Sequence, residues 1–122
     1  MYNIKQITGI GKKGEDFVAD YLRDKGMIVI KQNFSNRYGE IDIIAEDDDY
    51  IVFVEVKTRK ENALVKGLEV IDKQKINRIR NLANDFLSKF SSEKPPRFDV
   101  AEVTYTEADD TQFSIEYISS AF

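Results

Sequence analysis

The sequence predicts an α/β fold, a mixed β-sheet flanked by helices. Three observations carry that expectation: two segments with apolar residues at helical spacing, an apolar hairpin between them, and two alternating segments after the second helix. The predicted order is helix, strand, strand, strand, helix, strand, strand.

Gly11 to Gly26 reads as the first helix, because Phe17, Val18, Tyr21 and Leu22 recur at helical spacing and Gly26 supplies a C-terminal stop. Met27 to Lys31 reads as a short apolar strand, closed by the polar segment Gln32, Asn33, Ser35 and Asn36. GEIDIIAEDDDYIVFVEVKTR, from Gly39 to Arg59, reads as two strands joined by the acidic turn Asp47 to Asp49. Residues 60–71 show no clear period and are expected to form a loop with a short element. A long helix is expected from near Asp72, a candidate N-cap, with Ile76, Ile79, Leu82, Ala83, Phe86, Leu87 and Phe90 on one face. Pro95 and Pro96 break it, and RFDVAEVTY then reads as a strand. A turn through Glu107 to Asp110 leads to a last strand, Phe113 to Ile118. With 122 residues, 42% of them hydrophobic, and no internal repeat or linker, the chain is expected to form one domain, residues 1–122.

Composition narrows the chemistry. Cysteine is absent, which excludes disulfides, thiolate metal sites and cysteine nucleophiles. Histidine is absent too, removing the commonest general base and the usual zinc and haem ligands. Catalysis would have to come from carboxylates, lysines, hydroxyls and a hard cation. No apolar run suffices for a signal peptide or for a membrane span of roughly 20 residues, so the expected address is cytoplasmic with no membrane partner.

A net charge of −4 argues against a nucleic-acid partner, but the charge is unevenly spread. Lys57 to Arg80 holds eight basic residues against three acids, a net of +5, so the rest carries −9. That stretch fits local phosphate contact; a solvated helix face explains it equally well.

The hairpin is the most informative segment. Side chains alternate across a strand, so Glu55 and Lys57 share a face, while Val52, Val54 and Val56 take the other and should match Ile41, Ile43 and Ala45. Asp42 joins Glu55 only if the paired residue numbers sum to an odd value, which a two-residue turn at Asp47 and Asp48, or at Asp48 and Asp49, provides. A plain three-residue loop would put Asp42 on the wrong side and break up the aliphatic face. Two carboxylates converging from adjacent strands repel one another, which raises the affinity for a hard cation such as magnesium. The competing reading is a plain ion pair between Glu55 and Lys57, which leaves Asp42 unexplained.

Taken together, GEID, VEVK and the apolar residues around each acid resemble the PD-(D/E)xK nuclease superfamily, the restriction-endonuclease-like fold. The sequence is closer still to the YraN-like family of small bacterial proteins, described as predicted endonucleases. GKKGEDFVADYL resembles that family's opening helix, and NFSNRYGEIDIIA, FVEVKTR, KINRI and RFDV continue the resemblance over nearly the whole chain.

The resemblance implies that Asp42 and Glu55 are metal ligands for Mg2+ or Mn2+ and that Lys57 orients or deprotonates the attacking water. Glu15 sits where related junction-cleaving nucleases place a further acid; a solvated first-turn glutamate is the alternative. Glu40 shares the face of Asp42, either as a site residue or at the strand's solvent end. Lys75 and Arg78, with Arg59, would contact nucleic acid, whereas Asp99 in RFDV reads as structural. The implied function is metal-dependent hydrolysis of phosphodiester bonds in DNA, with branched or damaged DNA as a narrower option. A non-catalytic nucleic-acid-binding or protein-interaction module with the same fold is the alternative, kept open by the acidic pI near 4.9. A homodimer also stays open.

Overall fold

A computed structural model describes residues 9–61, 73–106 and 112–122 of the chain. The apolar stripe of the first amphipathic segment forms helix α1 (Ile10–Asp24) and buries Val18, Ala19 and Leu22. Its end is set by Gly26, whose φ of 89° lets the Gly26 and Met27 amides turn back onto the carbonyls of Arg23 and Leu22. Strands β1 (Ile28–Asn36), β2 (Gly39–Glu46) and β3 (Ile51–Lys60) follow, then helix α2 (Lys73–Lys89) and strands β4 (Pro96–Tyr105) and β5 (Phe113–Ile118). The expected cap at Asp72, the short element after Glu61 and the turn through Glu107 to Asp110 lie outside the described residues.

The five strands form one sheet in sequence order, antiparallel except where β3 and β4 run parallel. A parallel neighbour requires a crossover, and α2 lies in it. The result is a mixed α/β sheet with a helix on each face, consistent with restriction-endonuclease-like architecture. Under α1 lie Ile43, Ala45, Val52, Val54, Val56, Ala101 and Val103. On the opposite face Ile79, Leu82 and Ala83 of α2 pack on Ile41, Ile44, Ile51 and Phe53, with Phe86 edge-on to both Phe34 and Phe53.

The hairpin register is the one that patterning required. Ile43 pairs with Val54, Ile44 with Phe53, Ala45 with Val52 and Glu46 with Ile51, all summing to an odd number. Asp47 closes the ladder by donating its amide to the Tyr50 carbonyl, which leaves Asp48 and Asp49 as the turn. The Asp47 carboxylate takes the amides of Asp49 and Tyr50 and a bond from Arg97. Burial pushes its pKa up, but these partners outweigh that, and the group sits below the ordinary aspartate value.

Two expectations fail, both where strand regularity was assumed. Ile41 does not share the face of Ile43 and Ala45 but packs with Ile44 on the α2 side. The pleat is interrupted there: β1 carries a bulge between Val29 and Lys31 and a left-handed Asn33 at φ 55°, and β2 follows it. The polar run Gln32 to Asn36 does not close β1 but continues it, pairing with Gly39 to Ile43. As an edge strand β1 has one flank toward solvent, so polar side chains are tolerated along it.

Candidate active site

Beyond the Ile43–Val54 pair no ladder pairing joins β2 to β3, and Asp42 fills the space: its Oδ2 accepts the Val56 amide at 2.8 Å. The side chain is thereby fixed beside Glu55, which projects from β3 on the face toward α2. Both acids line a cavity of about 290 Å³ with Tyr38, Gly39, Glu40, Lys75, Arg78, Ile79 and Leu82. The wall from α2 is anchored by Asn36, whose Nδ2 donates to the Leu82 carbonyl at 3.4 Å and to Asp85 at 3.0 Å. Lys75 Nζ donates to Glu55 Oε1 at 3.1 Å, an ion pair about one-third exposed at the lysine and 14% at the glutamate.

The other candidates fall at different places. Lys57 follows Glu55 on the same face of β3 but is not among the described residues lining the cavity. Its parallel neighbour is Glu102, a carboxylate only 6% exposed, which also makes an ion pair at 3.7 Å with Arg59. Glu15 is 2% exposed, on the side of α1 that faces the sheet, and it too lies outside the cavity lining. It is buried within the helix face rather than solvated. Asp99 is fully buried and belongs to a separate cluster: Arg97 clasps both its oxygens, Tyr117 donates to Oδ2 at 2.5 Å, and the Ser120 amide donates to Oδ1 at 2.9 Å.

Sequence reasoning passed over Glu102, Tyr38 and the apolar wall of Ile79 and Leu82. For Glu102 a signal existed: in RFDVAEVTY it alternates with Phe98 and Val100, on the face opposite Asp99. That it neighbours Lys57 required knowing that β4 runs parallel to β3.

The residues present fit a hard divalent cation. Glu40 lines the same cavity, and among the described residues no three acids are placed to hold one ion together, but such a cation is commonly held by one or two carboxylates with water completing its shell. Asp42 and Glu55 supply two, and an ammonium already stands against one of them. The span of chain that holds these residues, 14–103, matches the model of a family described as Uncharacterised protein family UPF0102. The chain belongs to that family. A UPF0102 protein of Dichelobacter nodosus is 40% identical over 111 residues, covering 90% of this chain and 86% of its own. UPF0102 proteins of Rhodococcus opacus and Dictyoglomus thermophilum are 40% and 36% identical over 114 residues, covering 93% of this chain and 95% and 96% of their own. Within the UPF0102 span fall Glu15, Asp42, Glu55, Lys57, Arg59, Lys75, Arg78, Asp99 and Glu102. Among the described residues no helix is long and apolar enough to cross a membrane.

Proposed function

We propose that this UPF0102 protein is a metal-dependent nuclease of the PD-(D/E)xK type that hydrolyses phosphodiester bonds in DNA. The observation that carries the reading is the convergence of Asp42 and Glu55 in one cavity with Lys75 and Arg78 on its α2 wall. Acids alone would repel a phosphate; acids bordered by an ammonium and a guanidinium suit a phosphodiester that arrives with a cation. Asp42 and Glu55 would hold Mg2+ or Mn2+, which supplies phosphoryl polarisation and acidifies water when bound. Lys57 is assigned to orienting the attacking water, Arg78 and Lys75 to the phosphates flanking the scissile bond, and Arg59 to the strand beyond. Glu15, the further acid that the resemblance implies, lies on α1 outside the cavity lining.

The test is cleavage of single-stranded, duplex and four-way-junction DNA with Mg2+ or Mn2+. Activity that disappears in Asp42→Asn, Glu55→Gln and Lys57→Ala, all still folded, is the expected result. Cleavage that survives all three substitutions overturns the reading. A binding module without cleavage is the second reading, favoured by the acidic pI near 4.9 and by the fact that, among the described residues, no third acid is placed to share an ion with Asp42 and Glu55. Cation-dependent binding without turnover would select it.

A further inference from the structure

We infer that Lys75 is an internal counter-ion that a divalent cation must displace, so that cation binding at Glu55 releases Lys75 to contact phosphate. The inference rests on the metal-site reading above and assigns it a control residue.

Two carboxylates in one partly buried cavity repel each other, and the folded chain places its own positive charge against one of them, Lys75 Nζ at 3.1 Å from Glu55 Oε1. A divalent cation taken up by Asp42 and Glu55 carries twice the charge and approaches the same carboxylate. It both replaces the attraction that holds Lys75 and repels the ammonium. The lysine has somewhere to go, since it is the more exposed partner and sits on a flexible four-carbon stem close to Arg78, three residues further along α2. Pointed at the cavity mouth beside Arg78, it becomes a phosphate ligand. Of these two cations it is Lys75 that pairs with Glu55, so the exchange is assigned to it. The consequence is thermodynamic linkage: cation strengthens polyanion binding through Lys75, and polyanion strengthens cation binding by the same factor.

Lys75→Met removes the competing charge and retains most of the stem; Lys75→Gln does so with a neutral donor and serves if the methionine variant folds poorly. Manganese binding to the full chain, followed by the electron paramagnetic resonance of free Mn2+, should be at least about fivefold tighter in either variant. Fivefold is the effect of one unit charge at about 4 Å even at the dielectric of bulk water. Lys75→Arg should stay near the unsubstituted protein, and Asp42→Asn should bind Mn2+ more weakly. A purely structural ion pair would lower melting temperature in Lys75→Met without tightening Mn2+. In the same variant, calcium should strengthen binding of a single-stranded oligonucleotide less than it does in the unsubstituted protein. If the unsubstituted protein binds Mn2+ through Asp42 but Lys75→Met and Lys75→Gln bind it equally or less tightly, the inference is overturned and the metal site stands. If neither the unsubstituted protein nor any Lys75 variant binds Mn2+, both fall.

Discussion

At the scale of single residues, two aspartates in this chain are buried for different reasons, and substitution separates them. Asp42 accepts the Val56 amide inside the gap between β2 and β3, so its oxygen is structural as well as part of the proposed metal site. Asp42→Asn retains an acceptor and should change stability by less than about 1 kcal/mol, whereas Asp42→Ala strands a buried N–H and should cost about 1–3 kcal/mol. Urea unfolding of the two variants, with amide exchange at Val56 as the local probe, checks the contrast; equal losses would remove the hydrogen bond from the account. Asp99 instead anchors Arg97, Tyr117 and the Ser120 amide. Burial, followed by the bond to Asp99 and its charge, raises the Tyr117 pKa well above the ordinary tyrosine value. Up to about pH 10 the phenol is protonated in both folded and unfolded chains. Above that the unfolded chain releases a proton the folded one keeps, so stability falls as pH rises. Tyr117→Phe should be less stable at neutral pH and should lose stability less steeply between about pH 9 and pH 11. Thermal melts across that range decide it, and parallel slopes would rule out the Tyr117 contribution.

At the scale of elements, the places that sequence revealed and concealed follow from how regular each element is. The β2–β3 register was legible because only odd pairing gathers Val52, Val54, Ile43 and Ala45 on one face, and two turn residues deliver it. Ile41 departs from the alternation that the sequence implies, in the stretch of β2 that runs beside the left-handed Asn33 of β1. The polar run Gln32 to Asn36 looks like the end of β1 in sequence because its residues belong to an edge. The seat of α1 was also hidden: Gly14 packs its Cα directly on Thr58 of β3, and a Cβ there would overlap Thr58 Oγ1 and crowd its Cβ and Cγ2. Helix propensity alone favours Gly14→Ala by roughly 1 kcal/mol, but overpacking against a strand typically costs about 1–3 kcal/mol. The substitution should therefore destabilise, and Thr58→Ala should relieve much of the loss in the double variant. Chemical denaturation of the four proteins checks the coupling; additive effects would mean α1 shifts freely over β3.

For the whole molecule, the partition of charge visible in the sequence acquires a location. The acids of the rest of the chain include the exposed turn at Asp48 and Asp49, while Lys75 and Arg78 face the cavity from α2. Which segments meet there was not legible, because the parallel β3–β4 pairing and the crossover through α2 bring together residues far apart in sequence. With so few cations at the cavity, nucleic acid would have a small number of phosphates neutralised, and the logarithm of its binding constant should fall with log salt by roughly 0.7 per phosphate for single strands and 0.9 for duplex. Arg78→Ala should flatten that slope by about one unit whatever the base sequence. Lys75 should behave differently from Arg78. Without a divalent cation its ammonium is engaged by Glu55, so Lys75→Ala should leave the slope nearly unchanged; with calcium present the same substitution should flatten it by about one unit. Anisotropy titrations of a labelled oligonucleotide over a range of potassium chloride, with and without calcium, measure the slopes for the unsubstituted protein and both variants. A Lys75→Ala slope that is equally flattened in both conditions would show that Lys75 reaches phosphate whether or not Glu55 is occupied, and would leave the charge partition without its cation-dependent step.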